Sequence, residues 1–183
     1  MPIRRETEMK LSPQRRFFMF LEDRTVVVYG TAIPYSATVT RALAGHQALV
    51  YLADISMQRA EVAARRINDD GGVAEPATVD LFYRQAVEAY TQEVAEWSGG
   101  IDLAVIAIAD ENPAAQLMAT ETVCAHMVGQ GYGIVLTLSS RGTADPEYLR
   151  LAERVAPSGV ALLPAFGIPA PMPAADPATL RQA

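Results

Sequence analysis

Lysine occurs once in the chain, at Lys10, against fourteen arginines. A lysine amine can lose its charge when buried and an arginine guanidinium cannot, so nucleophilic, Schiff-base and pKa-tuned chemistry most often needs lysine. No mechanism requiring a catalytic lysine beyond position 10 fits this sequence. Cysteine is equally scarce: Cys124 stands alone, which excludes an internal disulfide and a cysteine-based zinc cluster. His46 and His126 are the only histidines, too few for a His-rich metal site and thin for Ser–His chemistry. Positive charge is also short. The net charge is −6 and the pI about 4.9, so no general basic field would gather phosphates, and a nucleic-acid partner is not expected. The longest uninterrupted apolar run, residues 103–109, falls far short of the ~20 residues that span a bilayer, and no signal-peptide pattern opens the sequence. The expectation is a soluble, cytoplasmic protein with no membrane partner.

What is present is an ordinary globular mixture, 50% apolar and 20% charged over 183 residues, which at ~150 residues per domain makes one domain. Residues 1–23 read as a polar, basic extension broken by Phe17-Phe18-Met19-Phe20, an aromatic patch suited to pinning it to the body or to a partner. Residues 24–164 form the predicted domain, and residues 165–183 a proline-rich tail; five of the twelve prolines lie at or beyond Pro164.

Within the domain, apolar runs alternate with helical patterns. Strands are predicted over 25–29, 48–53, 73–79 (demoted by Pro76), 101–109, 133–138 and 159–163. Helices are predicted over 36–44, from a Ser56 cap to about 68, over 81–97, 113–128, and from Asp145-Pro146-Glu147 to about 156. In the third helix Ala86, Val87, Tyr90, Val94 and Trp97 fall at helical spacing. Strands alternating with helices give an α/β, doubly wound, Rossmann-like parallel sheet of about six strands, because parallel neighbours need right-handed crossovers. The expected order is 3-2-1-4-5-6, with a ligand crevice at the carboxyl ends of strands 1 and 4.

In such a sheet the turn after strand 1 is where a dinucleotide pyrophosphate meets backbone N–H groups. Here it reads Tyr29-Gly30-Thr31-Ala32-Ile33-Pro34-Tyr35-Ser36. Gly30 is present, but Pro34 and Ser36 stand where later glycines belong, and proline removes a donor. The loop is either a weak fingerprint, with Gly30, Thr31, Ile33 and Ser36 near a phosphate, or a plain strand-to-helix turn in which Ser36 caps the helix. Asp54, twenty-four residues after Gly30, stands where an acid would bond adenosine ribose hydroxyls, although a strand-end aspartate also serves as a cap or turn residue. Asp80, with Leu81 beside it, has the same two readings: cap of the third helix or contact to an adenine edge.

These segments resemble the short-chain dehydrogenase/reductase family over roughly residues 24–172. The likeness is carried by strand 1 with Gly30, by Asp54, by Val79-Asp80-Leu81 and by Ile101-Asp102-Leu103-Ala104-Val105. It continues through Gly131-Tyr132-Gly133-Ile134-Val135-Leu136-Thr137-Leu138-Ser139-Ser140 and Ala156-Pro157-Ser158-Gly159-Val160. The resemblance implies NAD as cofactor, held by Gly30, Thr31, Ile33, Ser36, Asp54, Asp80, Leu81, Ala107 and Ala109. It also implies a catalytic serine at Ser140 and a catalytic tyrosine at Tyr148.

The chain departs from the family at the chemistry. The family's Asn-Asn-Ala-Gly is here Ile106-Ala107-Ile108-Ala109, and its Tyr-x-x-x-Lys helix becomes Tyr148 with Ala152 four residues on. A free tyrosine titrates near pH ~10, so acid–base work near neutrality needs a cation beside it. Arg141 or Arg150 could supply it, and nothing in the spacing shows that either does. Cys124 and His126, two apart on a helix, point in different directions and make a poor nucleophile–base pair. The polar side chains left for an unorthodox pocket are Tyr35, Asp110, Glu111, Ser139, Ser140 and Arg141. Little sequence follows Phe166-Gly167-Ile168-Pro169 for substrate-covering helices, so the outer sheet edge is expected to be covered by the tail or by another subunit.

Three functional expectations follow. The first is a relative that has lost hydride transfer and serves as a binding or structural subunit, a homo- or hetero-oligomer with a full-length homologue, with a small-molecule ligand and with NAD or no cofactor. The second is an NAD-dependent oxidoreductase with an atypical site. The third is a non-redox isomerase, dehydratase or cyclase using the same crevice.

Overall fold

Four of the five residues in TVVVY are β-branched, and such a run is stable only where both faces of a strand are covered. In the computed structural model, which describes residues 21–31, 34–108, 112–139 and 146–166, β1 (Thr25–Tyr29) is buried at every position. The chain then alternates through α1 (Pro34–Ala44), β2 (Leu49–Asp54), α2 (Met57–Asp69), β3 (Val73–Thr78) and α3 (Arg84–Ser98). It continues with β4 (Leu103–Ile106), α4 (Pro113–Gln130), β5 (Gly133–Ser139), α5 (Pro146–Val155), a single 3₁₀ turn and β6 (Val160–Phe166).

All described strands pair in parallel, in the order β3-β2-β1-β4-β5-β6. That is the expected order, and it confirms the doubly wound Rossmann-like class. The chain winds outward through β2 and β3, then returns to the other side of β1, and right-handed crossovers therefore place helices on opposite faces. Val26 and Val28 face α1 and α2, packing with Leu43, Ala64 and Ile67. Val27 and Tyr29 face α3, α4 and α5, packing with Val87, Val94, Val123 and Leu151. Pro76 is tolerated because β3 is an edge strand.

Several boundaries differ from the expectation. Strand 4 is shorter than its apolar run and strand 6 runs to Phe166. Helix α1 begins at Pro34, so Ser36 lies inside its first turn and is not its cap. Helix α3 begins three residues late: Asp80 accepts from the Phe82 N–H at 3.0 Å in a local turn, and Tyr83 is the cap residue, with no side-chain bond. Trp97 is 62% exposed. From Val87 the 3.6-residue period passes through Tyr90, Thr91 and Val94 to Ser98, so Trp97 falls off the buried stripe. Ser56 caps α2 as expected, accepting from Arg59 N–H.

The helix-rich face carries a buried polar chain. Thr91 donates its hydroxyl to Val87 O at 2.6 Å, so the 2.6 Å contact between Tyr29 and Thr91 has the tyrosine as donor. Burial pushes the Tyr29 phenol well above its ordinary range, with the Thr91 bond opposing. Tyr29→Phe removes one buried bond while Thr91 keeps its other partner. Urea unfolding is expected to show a loss of about 1 kcal/mol with an unchanged m-value; a loss below ~0.3 kcal/mol would show that the bond adds nothing net.

Candidate functional site

The carboxyl ends of β1, β2 and β4 converge on Gly30. Gly30 N–H donates to Ala53 O at 2.8 Å, and Ala107 N–H to Tyr29 O at 2.7 Å. The backbone of Gly30 has φ +97°, and a Cβ there would lie 2.5 Å from Ala107 O. Glycine is therefore required by the approach of β1 to β4, whatever else the turn does.

Asp54, the last residue of β2, is the centre of this region. Its side chain is 2% exposed. Thr31 donates to Oδ2 twice, from its N–H at 2.8 Å and its hydroxyl at 2.6 Å. Ser56 N–H donates to Oδ1 at 2.8 Å, and Arg59 donates to the same oxygen through Nε at 3.1 Å and Nη2 at 2.7 Å. Five donors thus meet a carboxylate with about four lone-pair positions. Burial opposes the charge, but the bonds from Arg59, Thr31 and Ser56 outweigh it and hold the carboxyl below its ordinary value of 3.8.

The remaining site residues fall as follows. Ser36 is buried in the first turn of α1. Leu81 and Ala107 are buried in the core. Tyr148 is the third residue of α5, half-buried, and it packs with Ala152 against the core on that face. Ile33, Ala109, Asp110, Glu111, Ser140 and Arg141 lie outside the described residues, as do the side chains of Tyr35 and Ser139. Cys124 is buried in the core, where burial pushes its thiol up to about 12, so it is no nucleophile at neutral pH. Among the described residues no group of His, Cys, Asp and Glu could hold a metal, and no helix is long and apolar enough to cross a membrane.

Two residues were missed from the sequence. Arg59 lies five residues past Asp54, but its bond depends on how α2 leaves β2. Gln116 is a buried polar residue in α4 that donates from Nε2 to Leu138 O at 2.8 Å, bracing the carboxyl end of β5. Its one sequence signal was an amide among apolar neighbours.

No protein-family model matches the chain, and no curated protein matches it in sequence. Solved structures do. A short-chain type dehydrogenase/reductase from Mycobacterium marinum aligns with TM-score 0.68 at 20% identity, covering 79% of this chain and 74% of that one. A metagenomic short-chain oxidoreductase in complex with NADP gives 0.66 at 19%, covering 80% and 82%. An NAD⁺-bound xylitol dehydrogenase gives 0.66 at 17%, covering 80% and 71%. The chain has the short-chain dehydrogenase/reductase fold. At these identities the likeness is one of backbone path.

Two measurements test this site. Because the folded-state carboxyl of Asp54 is held low, its stabilisation is complete above pH ~4 and is lost as pH falls below the ordinary carboxylate value. Asp54→Asn is expected to be about 1–3 kcal/mol less stable at pH 7 and to lose less on acidification than the parent, read by denaturant titration at pH 7 and pH 3. Equal acid sensitivity in both proteins would remove Asp54 as a stabilising anion. A thiol reagent should label no cysteine in the native protein and one after denaturation; rapid native labelling would contradict the buried placement of Cys124.

Proposed function

We propose that this protein is a Rossmann-type binding or structural subunit with the short-chain dehydrogenase/reductase fold that does not perform hydride transfer. The observation that carries the reading is Ala152. It occupies the next turn of α5 from Tyr148, where the resemblance would require a lysine, and it packs against the core. The cation that the family places one turn after its tyrosine, to bring the phenol's proton within reach near neutrality, is missing from that position. The engagement of Asp54 supports the same reading. A ribose hydroxyl would have to displace Thr31, Ser56 or Arg59 from a carboxylate that has no free position, so the described residues fit a dinucleotide ribose poorly.

The subunit part of the reading rests on the sheet. Helices α1 and α2 pack on β1, β2 and β3, while Ile134, Leu136, Ala161 and Leu163 share that face on β5 and β6. Among the described residues no helix covers this half, and Leu163 is 45% exposed. Parallel sheets are buried on both faces, so a second subunit of the same fold is the cover we favour.

Purified protein should show no oxidation or reduction of NAD(H) or NADP(H) with a panel of alcohols and carbonyls, and no change in fluorescence beyond additivity when NADH is titrated to millimolar levels. Light scattering should give more than a monomer mass for the purified protein or for its mixture with a complete homologue. Turnover that disappears in Tyr148→Phe would replace this reading with that of an oxidoreductase. A strictly monomeric protein in both settings would remove the subunit part.

A further inference from the structure

The region between α1 and α2 is not packed shut. The two helices meet near their C-terminal ends, where a Cβ on Gly72 would lie 2.8 Å from Ile67 Cγ2 and 3.1 Å from Ala44 Cβ. Before that contact they enclose a cleft of about 480 Å³, which is within the range of small-molecule sites. It runs from Thr31 and Arg59 at the carboxyl edge of the sheet to Arg41 and Arg66. The step from Arg59 to Arg66 is two helical turns, about 10.5 Å. The floor is Leu52, and the α2 wall is Val62, Ala63 and Ile67, which share one stripe with Arg59 and Arg66.

The charges at its rim are unequal. Arg59 is engaged by Asp54. Arg41 is engaged by Asp70, with both Nε and Nη2 on one carboxylate oxygen at 3.0 and 2.6 Å. The Arg66 guanidinium makes no ion pair or hydrogen bond among the described residues. A groove with an apolar floor, an apolar wall and one uncompensated guanidinium at its end is complementary to an elongated apolar molecule bearing one negative charge.

We propose that the α1–α2 cleft binds a small amphipathic carboxylate, its apolar body over Leu52 and between the helices, its carboxylate on Arg66. The site lies on the α1–α2 face of the sheet and goes beyond the subunit reading, since it holds whether or not the protein oligomerises or handles NAD.

Octanoate is the probe, with 1-octanol as its uncharged counterpart, titrated calorimetrically into the full chain. Octanoate is expected to bind, and Arg66→Gln, an exposed substitution, to weaken it by about 10-fold while leaving octanol unchanged. Methyl NMR resonances of Val62 and Ile67 should move on titration and that of Ile134 should not. Ala63→Phe, which fills the cleft, should abolish binding of both probes; if that variant does not fold, the methyl shifts locate the site without it. Three results would overturn the proposal: no octanoate binding in the millimolar range, equal loss of octanoate and octanol in Arg66→Gln, or shifts confined to residues outside the cleft.

Discussion

The carboxylate of Asp54 is the constraint on which this end of the molecule depends. A buried anion at the end of a central strand is costly unless donors surround it. Here the donors come from three separate stretches: the turn after β1, the cap of α2 and the first turn of α2. One side chain therefore fixes how β1 hands over to its helix, how α2 leaves β2, and where the Arg59 guanidinium lies. The same saturation that makes it a good clamp makes it a poor hand for an outside hydroxyl. Every donor that Asp54 accepts from in this structure belongs to the frame itself.

Much of this frame was legible in the residues. Thr25–Tyr29 announced itself as a central strand because a β-branched run has nowhere else to go, and Ser56 as a cap because its hydroxyl can accept from Arg59 N–H. Alternation and handedness gave a parallel doubly wound sheet, and the order 3-2-1-4-5-6 came from the dinucleotide-binding pattern of such sheets. What stayed hidden was geometry across the chain. Asp80 looked like a helix cap, yet its carboxylate closes a turn on Phe82 and the helix waits until Arg84. Trp97 satisfied the spacing rule only while the period was rounded down; over three turns the fraction of a residue accumulates and Ser98 takes the inner position. At the candidate site, Asp54 was found by its position, but its five donors were not. Arg59 is local in sequence and could have been considered, whereas the two bonds from Thr31 require β1 and β2 to be neighbours with their ends level. Gly30 shows the opposite difficulty. Its presence suited a phosphate loop, but the backbone of Ala107 demands a glycine there in any case.

The two features behind the functional reading are independent. Ala152 concerns proton chemistry: replacing a cation with a methyl group leaves the helix intact, since alanine is the best helix former, while removing what would stabilise a phenolate. The uneven covering of the sheet concerns association. A strand face bearing Ile134, Leu136 and Leu163 is apolar at every inward position of one half-sheet, a pattern stable in water only when something apolar lies against it. A fold's packing pattern and its reaction centre draw on different residues, so neither feature implies the other.

Capacity to bind is set by donors and acceptors that the fold has left unengaged. At the carboxyl edge of β1 and β2, Asp54 has none, Thr31 directs both its N–H and its hydroxyl inward, and Leu81 and Ala107 bring only buried side chains. Between α1 and α2 the balance is reversed. Two of three guanidinium groups are matched by Asp54 and Asp70, which keeps the helices from repelling one another, and the third, Arg66, stands open beside an apolar wall. Ala37 and Ala63 are too small to fill the space between the helices, while the tight approach of Gly72 to Ile67 and Ala44 closes it at the far end. Small walls and a cation at the far end suit a slender anion, in a cleft that meets the dinucleotide crevice only at its Thr31 and Ser36 end.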